Sequence, residues 1–541
     1  MKATFSHFLN ILSLMWTAVW ALGLLALASV VGTFVVQLTS YEILEARYGI
    51  FWAQVFDILQ LDRLYSAWWF LGLAGFLVLS VSMCLFRNGP RLWRQTKAGK
   101  KAMPLTPLRA WPAVWEGKVN TEHLEANLKN AGFRKQKDFG AEGSYWVKSR
   151  LGRIGYFLTH GAVVLLSVGA ILTGVFGYRL TLHLIEGEVY DFAAKWEEGA
   201  FLPQNLPFAL KNNETIVEHY FTGMPRQFRT DLTLRTPDGE EKRTWLEVNA
   251  PVDFKGHRIY QADYGDGGSG IMLSLRPTAQ ENPLPEQVKG RTGFGEDMLG
   301  QNAINLTAHK MQPNTVLDLP QKAGGGRVPT NIGPSVEVVL ETPTDAPRVL
   351  KLFLQRPWLI GFRSGPVSIA QIQEDITGAY DLIFLGLNPA EDAGWPLAST
   401  LVENTPPALK TPDALKAYYS EKLPQVAAPY LTGLPESERL RLGLGAVMAA
   451  TAIQQLGLPF VPVLQEATFR PYSGVIIARD PGMVFFVLGG LLLVLGSGFM
   501  VYRPLVRLWV RQTPEKNVTF IAAQSSKVAA LPKLEILVKE E

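Results

Sequence analysis

A single cysteine, Cys84, occurs in 541 residues. That excludes an intrachain disulfide and any CxxC redox or zinc motif. Thiol chemistry in the pathway the chain serves must come from other proteins. Charge of one sign is also scarce: 52 Lys and Arg against 48 Asp and Glu leave a formal net charge of +4. Nothing in that balance marks a nucleic-acid partner. Hydrophobic residues make up 48%, charged residues 18%, and the mean hydropathy is +0.09. This is too polar for membrane helices alone and too apolar for an ordinary soluble enzyme. A few spans plus a large water-exposed body fit, and the length exceeds what one domain usually holds.

Long apolar runs are present. The first, residues 14–36, covers roughly 30 Å of hydrocarbon. It is too long for a signal-peptide core, and Gln37-Leu38-Thr39-Ser40 offers no small-x-small cleavage site, so a retained anchor is expected. A short external connection, 37–66, leads to a second span at 67–86, opened by Trp68 and Trp69 where aromatics favour the interface. Residues 87–153 are basic, with Arg87, Arg91, Arg94, Lys97, Lys100 and Lys101 beside the membrane. The positive-inside rule places this loop, and the N-terminal residues 1–13, in the cytoplasm. Within the loop, VNTEHLEANLKNAGFRK predicts a short amphipathic helix with Thr121 as N-cap and Gly132 as its stop.

The third span, 154–176, then runs outward, which puts 177–480 outside. That segment has strand texture. Leu180, Leu182 and Leu184 alternate with polar residues, and Leu232 and Leu234 precede a Pro237-Asp238-Gly239 turn. A helical insertion is expected at about 412–460. The fourth span, 483–501, is followed by Arg503, Arg507 and Arg511, which returns the tail, 502–541, to the cytoplasm. Beyond Arg511 the tail is expected to be loosely ordered. The predicted fold class is integral membrane α + β: four transmembrane helices with a large extracytoplasmic, mainly-β domain inserted between helices three and four. Both termini lie inside.

One histidine, His160, falls within a span, and an ionisable group in hydrocarbon usually faces a partner or cofactor. His7 and His123 read as solvated, and His183, His219, His257 and His309 as ordinary strand or loop residues. Cys84 reads as a small buried apolar side chain.

Several stretches, in the same order, resemble the ResB (CcsB) cytochrome c biogenesis proteins of System II. They are Ala28-Ser29-Val30-Val31-Gly32-Thr33, FDILQLDRLYSAWWF from Phe56, GYFLTHGAVVLL from Gly155, VNAPVDFKGHRIYQADYG from Val248, and ARDPG from Ala478. The resemblance implies a multi-pass protein of the cytoplasmic (inner) membrane with its large domain in the periplasm. It also implies part of a two-component haem lyase, or cytochrome c synthase, that works with a ResC (CcsA) partner. The pair passes haem across the membrane and joins it to CxxCH thiols of apocytochrome c, which a thioredoxin-like reductant keeps reduced. The tryptophan-rich haem-handling motif belongs to the partner, and no such run occurs here.

The resemblance gives the histidine-bearing span a chemical meaning. At 1.5 Å per residue His160 lies roughly 10 Å deep, on a face with Arg153, Tyr156, Phe157, Val163, Val164 and Ser167. That face would offer a transported haem b an axial imidazole on its iron, flat apolar walls and an arginine for its propionates. Gly155, Gly161, Gly169 and Gly174 would let a helix or a planar macrocycle come close. From the residues alone two readings stay open: an iron ligand, or an interhelical hydrogen bond worth about 0.6 kcal/mol. Two other functions compete, an assembly scaffold that never touches haem and a quinone-linked redox subunit. The latter needs a second axial histidine in a span, and this chain has none.

Overall fold

The computed structural model describes residues 12, 14–37, 41–94, 101–191, 195–196, 201–202, 204–278, 284–293, 295–299, 304–320, 327–343, 346–363, 380–389, 394–406, 408–513, 518–525 and 527–539. His7 and most of the 1–13 segment lie outside them. Among the described residues four helices are long and apolar enough to cross a membrane: α1 (Met15–Phe34), α2 (Trp68–Arg94), α3 (Leu151–Phe176) and α4 (Met483–Tyr502). With a large β-rich region they fit a membrane protein carrying a β domain. Helix α2 continues past Phe86 through Pro90 to Arg94, and α3 starts at Leu151. The 37–66 connection holds helices Tyr41–Tyr48 and Ile50–Ile58 and a 3-10 turn, Leu61–Ser66.

The chain divides into two compact units. The first holds the four apolar helices and an antiparallel sheet of five strands. Its order is Ala113–Gly117, Val518–Ser525, Val506–Thr513, Gly143–Lys148, Arg134–Asp138. The basic loop and the tail therefore fold together, which corrects the expectation of a loosely ordered tail. The reason lies in a period-two pattern. Val506, Leu508 and Val510 bury one face against Leu124, Leu128, Phe133 and Trp146, while Trp509 buries the other against Leu108, Tyr145 and Phe520. Arg507 and Arg511 share that second face. Arg507 lies over the Trp111 ring at 5.3 Å and bonds Gln524. Burial lowers its pKa.

A short helix of this unit, Thr121–Asn130, packs Leu124 and Leu128 onto the sheet. Its cap is Asn120, whose side chain accepts from the Glu122 amide at 3.0 Å, one residue earlier than expected. Gly132 follows with φ +83°, the left-handed residue that ends the helix.

The second unit is mainly β. One four-stranded sheet runs Glu241–Glu247, Pro225–Arg235, Ala209–His219, Val189–Tyr190. Another runs Val252–Phe254, His257–Asp266, Pro471–Arg479, Tyr178–Ile185. Leu180, Leu182 and Leu184 are buried and alternate with the exposed Thr181 and His183, as the pattern predicts, and Gly239 sits in the turn after Pro225–Arg235 at φ +90°. A third sheet has Gly270–Pro277 between Gln287–Arg291 and Phe460–Thr468. A fourth has five strands from Asn305–Gln312 to Asp381–Phe384. Helices Trp395–Glu403, Pro412–Val426 and Glu436–Leu456 share one core with these strands through Trp395, Tyr419, Ala446 and Ile453. The helical region thus opens earlier than 412, and Phe460 already belongs to a strand.

Candidate functional site

Helix α3 presents different faces to its neighbours. Toward α4 it is stripped of bulk. A Cβ on Gly155 would meet the Gly496 carbonyl oxygen at 2.5 Å, and one on Gly169 would meet Phe485 Cβ at 3.0 Å and Gly482 O at 3.1 Å. This is close helix–helix packing through small residues. Gly174 is closed by Tyr65 O and Leu71 in the same way, whereas nothing lies within 4 Å of a Cβ on Gly161. Of the four glycines noted in the sequence, three admit protein and one is open.

The opposite side faces α1 and α2 and carries the predicted site. Val163 and Val164 pack with Ala21, Leu77 and Val81. One turn away, the rings of Tyr156 and His160 lie 4.0 Å apart at 37°, and Tyr156 meets Phe157 edge-on at 5.6 Å. The partners from α2 were not foreseen. Cys84 Sγ lies 4.0 Å from Tyr156 Oη and accepts from Asn88 Nδ2 at 3.4 Å. Phe157 lies over Gly89, where a Cβ would be 3.1 Å from its ring, and it stands 6.0 Å from the Trp93 ring. Cys84 is buried, in keeping with the small-side-chain reading. Cys84 and Asn88 are one turn apart on α2, as are Gly89 and Trp93, and that spacing is the signal that was available for them.

His160 is half-buried, and its Nδ1 lies 2.9 Å from the Tyr156 carbonyl oxygen. A carbonyl only accepts, so Nδ1 carries the proton, and in the neutral form of the ring the lone pair is then on Nε2. Such a bond fixes the tautomer and orientation of an imidazole that is to bind a metal through its other nitrogen. The bond is within α3. Among the described residues His160 makes no interhelical hydrogen bond; its partner is a backbone carbonyl of its own helix. Among the described residues no group of three or more His, Cys, Asp or Glu could hold a metal ion.

The structure brings Tyr156, Phe157 and His160 together and leaves Arg153 partly buried at the head of α3, one turn before them. An apolar cavity of about 560 Å³ opens beside them. It is lined by Leu85, Phe86, Gly89, Trp93, Ile154 and Phe157, and His160 does not line it.

His257 and His219 sit in structural settings. His257 is buried, bonded to the Lys255 carbonyl at 2.9 Å and edge-on to Phe208. His219 lies between Asn314 (3.2 Å) and Tyr264 Oη (3.4 Å). In the Val248 to Gly265 stretch, Gln261 closes a buried hydrogen-bonded triangle with Thr230 and Ser473 at 2.7–2.9 Å. A Cβ on Gly265 would strike the Tyr472 ring at 2.6 Å. Of this stretch Phe254, His257, Ile259 and Gln261 reach the β domain's interior, while Val248 and Tyr260 are exposed.

Compared with known proteins, residues 15–533 match the ResB-like family. The chain is 26% identical over 349 residues to a cytochrome c biogenesis protein CcsB of Gloeobacter violaceus, covering 59% of this chain and 72% of that protein. It is 26% identical over 318 residues to a cytochrome c biogenesis protein Ccs1 of Porphyra purpurea, 57% of this chain and 71% of that one. A CcsB of a Synechococcus strain is 28% identical over 293 residues, 51% of this chain and 65% of its own length.

Proposed function

The chain belongs to the ResB-like family, and from that premise we propose that it serves cytochrome c biogenesis as the haem-handling subunit of a System II synthase. The proteins it resembles carry cytochrome c biogenesis in their names. In this reading the four apolar helices span the cytoplasmic (inner) membrane, both termini and the five-stranded α/β domain are cytoplasmic, and the large β domain is periplasmic. The flanking arginines support that sidedness. A ResC/CcsA-like protein completes the enzyme, so the chain is half of it. With Cys84 alone, reduction of the CxxCH thiols of apocytochrome c falls to a thioredoxin-like partner.

The observation that carries the proposal is the His160 hydrogen bond, which holds the ring by Nδ1 and leaves Nε2 for iron. Haem b is cargo here. His160 would bind its iron, Tyr156 and Phe157 would flank the ring system, and Arg153 would meet a propionate. A bound haem would give a Soret band. The test is the absorption spectrum of the membrane-purified chain, with and without a ResC-like protein, wild type against His160→Ala. A band lost in the variant supports the reading; an unchanged band removes it.

One observation favours a second reading. The apolar cavity on this face is lined by Phe157 and not by His160. If Tyr156 only packs on the imidazole, the chain is a membrane-anchored scaffold for assembly factors. That reading predicts no Soret band in wild type either.

A further inference from the structure

Where α3 begins and α4 ends, the structure forms a cavity of about 760 Å³ in the first unit. Four cations line it, Arg134, Lys148, Arg150 and Arg503, and no carboxylate does. All four are exposed. Among the described residues none of the four is in an ion pair, although Arg150 donates to Gln136. Side chains serving only to set orientation would be equally effective splayed into water. Here they converge.

The frame beneath them is fixed. Ser149, held at φ +54°, donates to the Arg503 carbonyl at 2.9 Å, and the Gly152 amide donates to the same oxygen at 2.9 Å. A Cβ on Gly152 would lie 2.8 Å from that oxygen, so the two helix ends are clamped with no room to spare. Strands Arg134–Asp138 and Gly143–Lys148 bring Arg134 and Lys148 to the rim. The side toward the apolar helices differs: Leu151 is 38% and Tyr502 81% exposed. An aromatic with a polar tip, at the end of an apolar helix, suits the headgroup level of a bilayer.

A cavity with a cationic floor and an apolar lip at that level matches one ligand chemistry, a phosphate diester on an acyl chain. We propose that it binds the headgroup of an anionic phospholipid, with Arg134, Lys148, Arg150 and Arg503 on the phosphate and Leu151 and Tyr502 along the chain. Basic pockets at helix ends are suited to such headgroups, and charge-assisted bonds to phosphate are the strong ones. The proposal does not depend on what His160 binds.

The experiment uses the full chain in neutral detergent, titrated with phosphatidylglycerol, phosphatidylcholine or inorganic phosphate and read by native mass spectrometry. Phosphatidylglycerol should bind in preference to phosphatidylcholine. The pair Lys148→Gln and Arg503→Gln should weaken it about 25-fold, taking about fivefold for each basic residue at an anionic surface. Arg134→Gln alone tests the rim without touching the Arg503 clamp and should weaken it about fivefold. Lys118→Gln with Lys129→Gln removes the same charge from the same domain and should change nothing. Displacement of the lipid by millimolar inorganic phosphate would move the site to a soluble phosphate compound and overturn the lipid assignment. Equal binding by wild type and the Lys148/Arg503 variant, or an equal loss in the Lys118/Lys129 variant, would overturn the site itself.

Discussion

Gly496→Ala tests the seam between α3 and α4. A Cβ at this position would lie 2.8 Å from the Thr159 amide nitrogen, 2.8 Å from Thr159 Cγ2 and 2.9 Å from the Gly155 carbonyl oxygen. Two of those three atoms are backbone, so relief requires the helices to part and not merely a side chain to swing. Overpacking of this kind costs about 1–3 kcal/mol. Alanine returns up to about 1 kcal/mol through helix propensity, so a net loss of up to about 2 kcal/mol is expected. Gly490, on the same helix, has nothing within 4 Å of a Cβ. Gly490→Ala therefore keeps the propensity gain and pays no overpacking cost. The assay is the sodium dodecyl sulfate unfolding midpoint of each detergent-purified variant, followed by circular dichroism. Gly496→Ala should unfold earlier than wild type and Gly490→Ala no earlier. Equal midpoints for the two variants would refute the reasoning.

Trp509→Ala should cost about 3–5 kcal/mol as a large buried side chain is deleted, because Trp509 stacks on Phe139 at 5.4 Å and packs against the tilted Tyr145 ring at 4.8 Å. Limited proteolysis should then cut within residues 101–148, far from the substitution in sequence; an unchanged digestion pattern would contradict the shared sheet. In the β domain, the hydrogen bond from Arg243 holds the buried Asp231 carboxyl below its ordinary pKa of 3.8. A depressed carboxylate stabilises the fold above the unfolded value, and that contribution is lost as pH falls through the lower folded value. Asp231→Asn should therefore cost on the order of 1–3 kcal/mol at neutral pH. It should also unfold with a shallower acid dependence below about pH 3.8, read by near-ultraviolet circular dichroism. An unaltered acid limb would show that the pair contributes nothing.

Hydropathy made the four apolar helices legible, because a run of some 20 apolar residues states its own length. The alternation at Leu180, Leu182 and Leu184 and the Asp238-Gly239 turn were legible for a similar reason: each is a local pattern with a local cause. The sheet shared by loop and tail was not. Val506–Thr513 pairs with Gly143–Lys148 across more than three hundred residues, and its arginines had been explained by topology. The pattern Val506, Leu508, Val510 against Arg507, Trp509, Arg511 was the signal to weigh. At the site, the sequence placed Tyr156, Phe157 and His160 on one helix, because residues three and four apart share a face. It did not place Cys84, Asn88, Gly89 and Trp93 opposite them, since that contact depends on how two helices pack.

The most direct test of the central claim is haem content per chain, measured as the pyridine haemochrome of protein purified from membranes. Thr159→Val, on the α4 side of the same turn, serves as the matched control. Wild type and Thr159→Val should carry haem, while His160→Ala carries little or none and is recovered in the membrane at an equal level. Equal haem in His160→Ala and wild type would contradict the account.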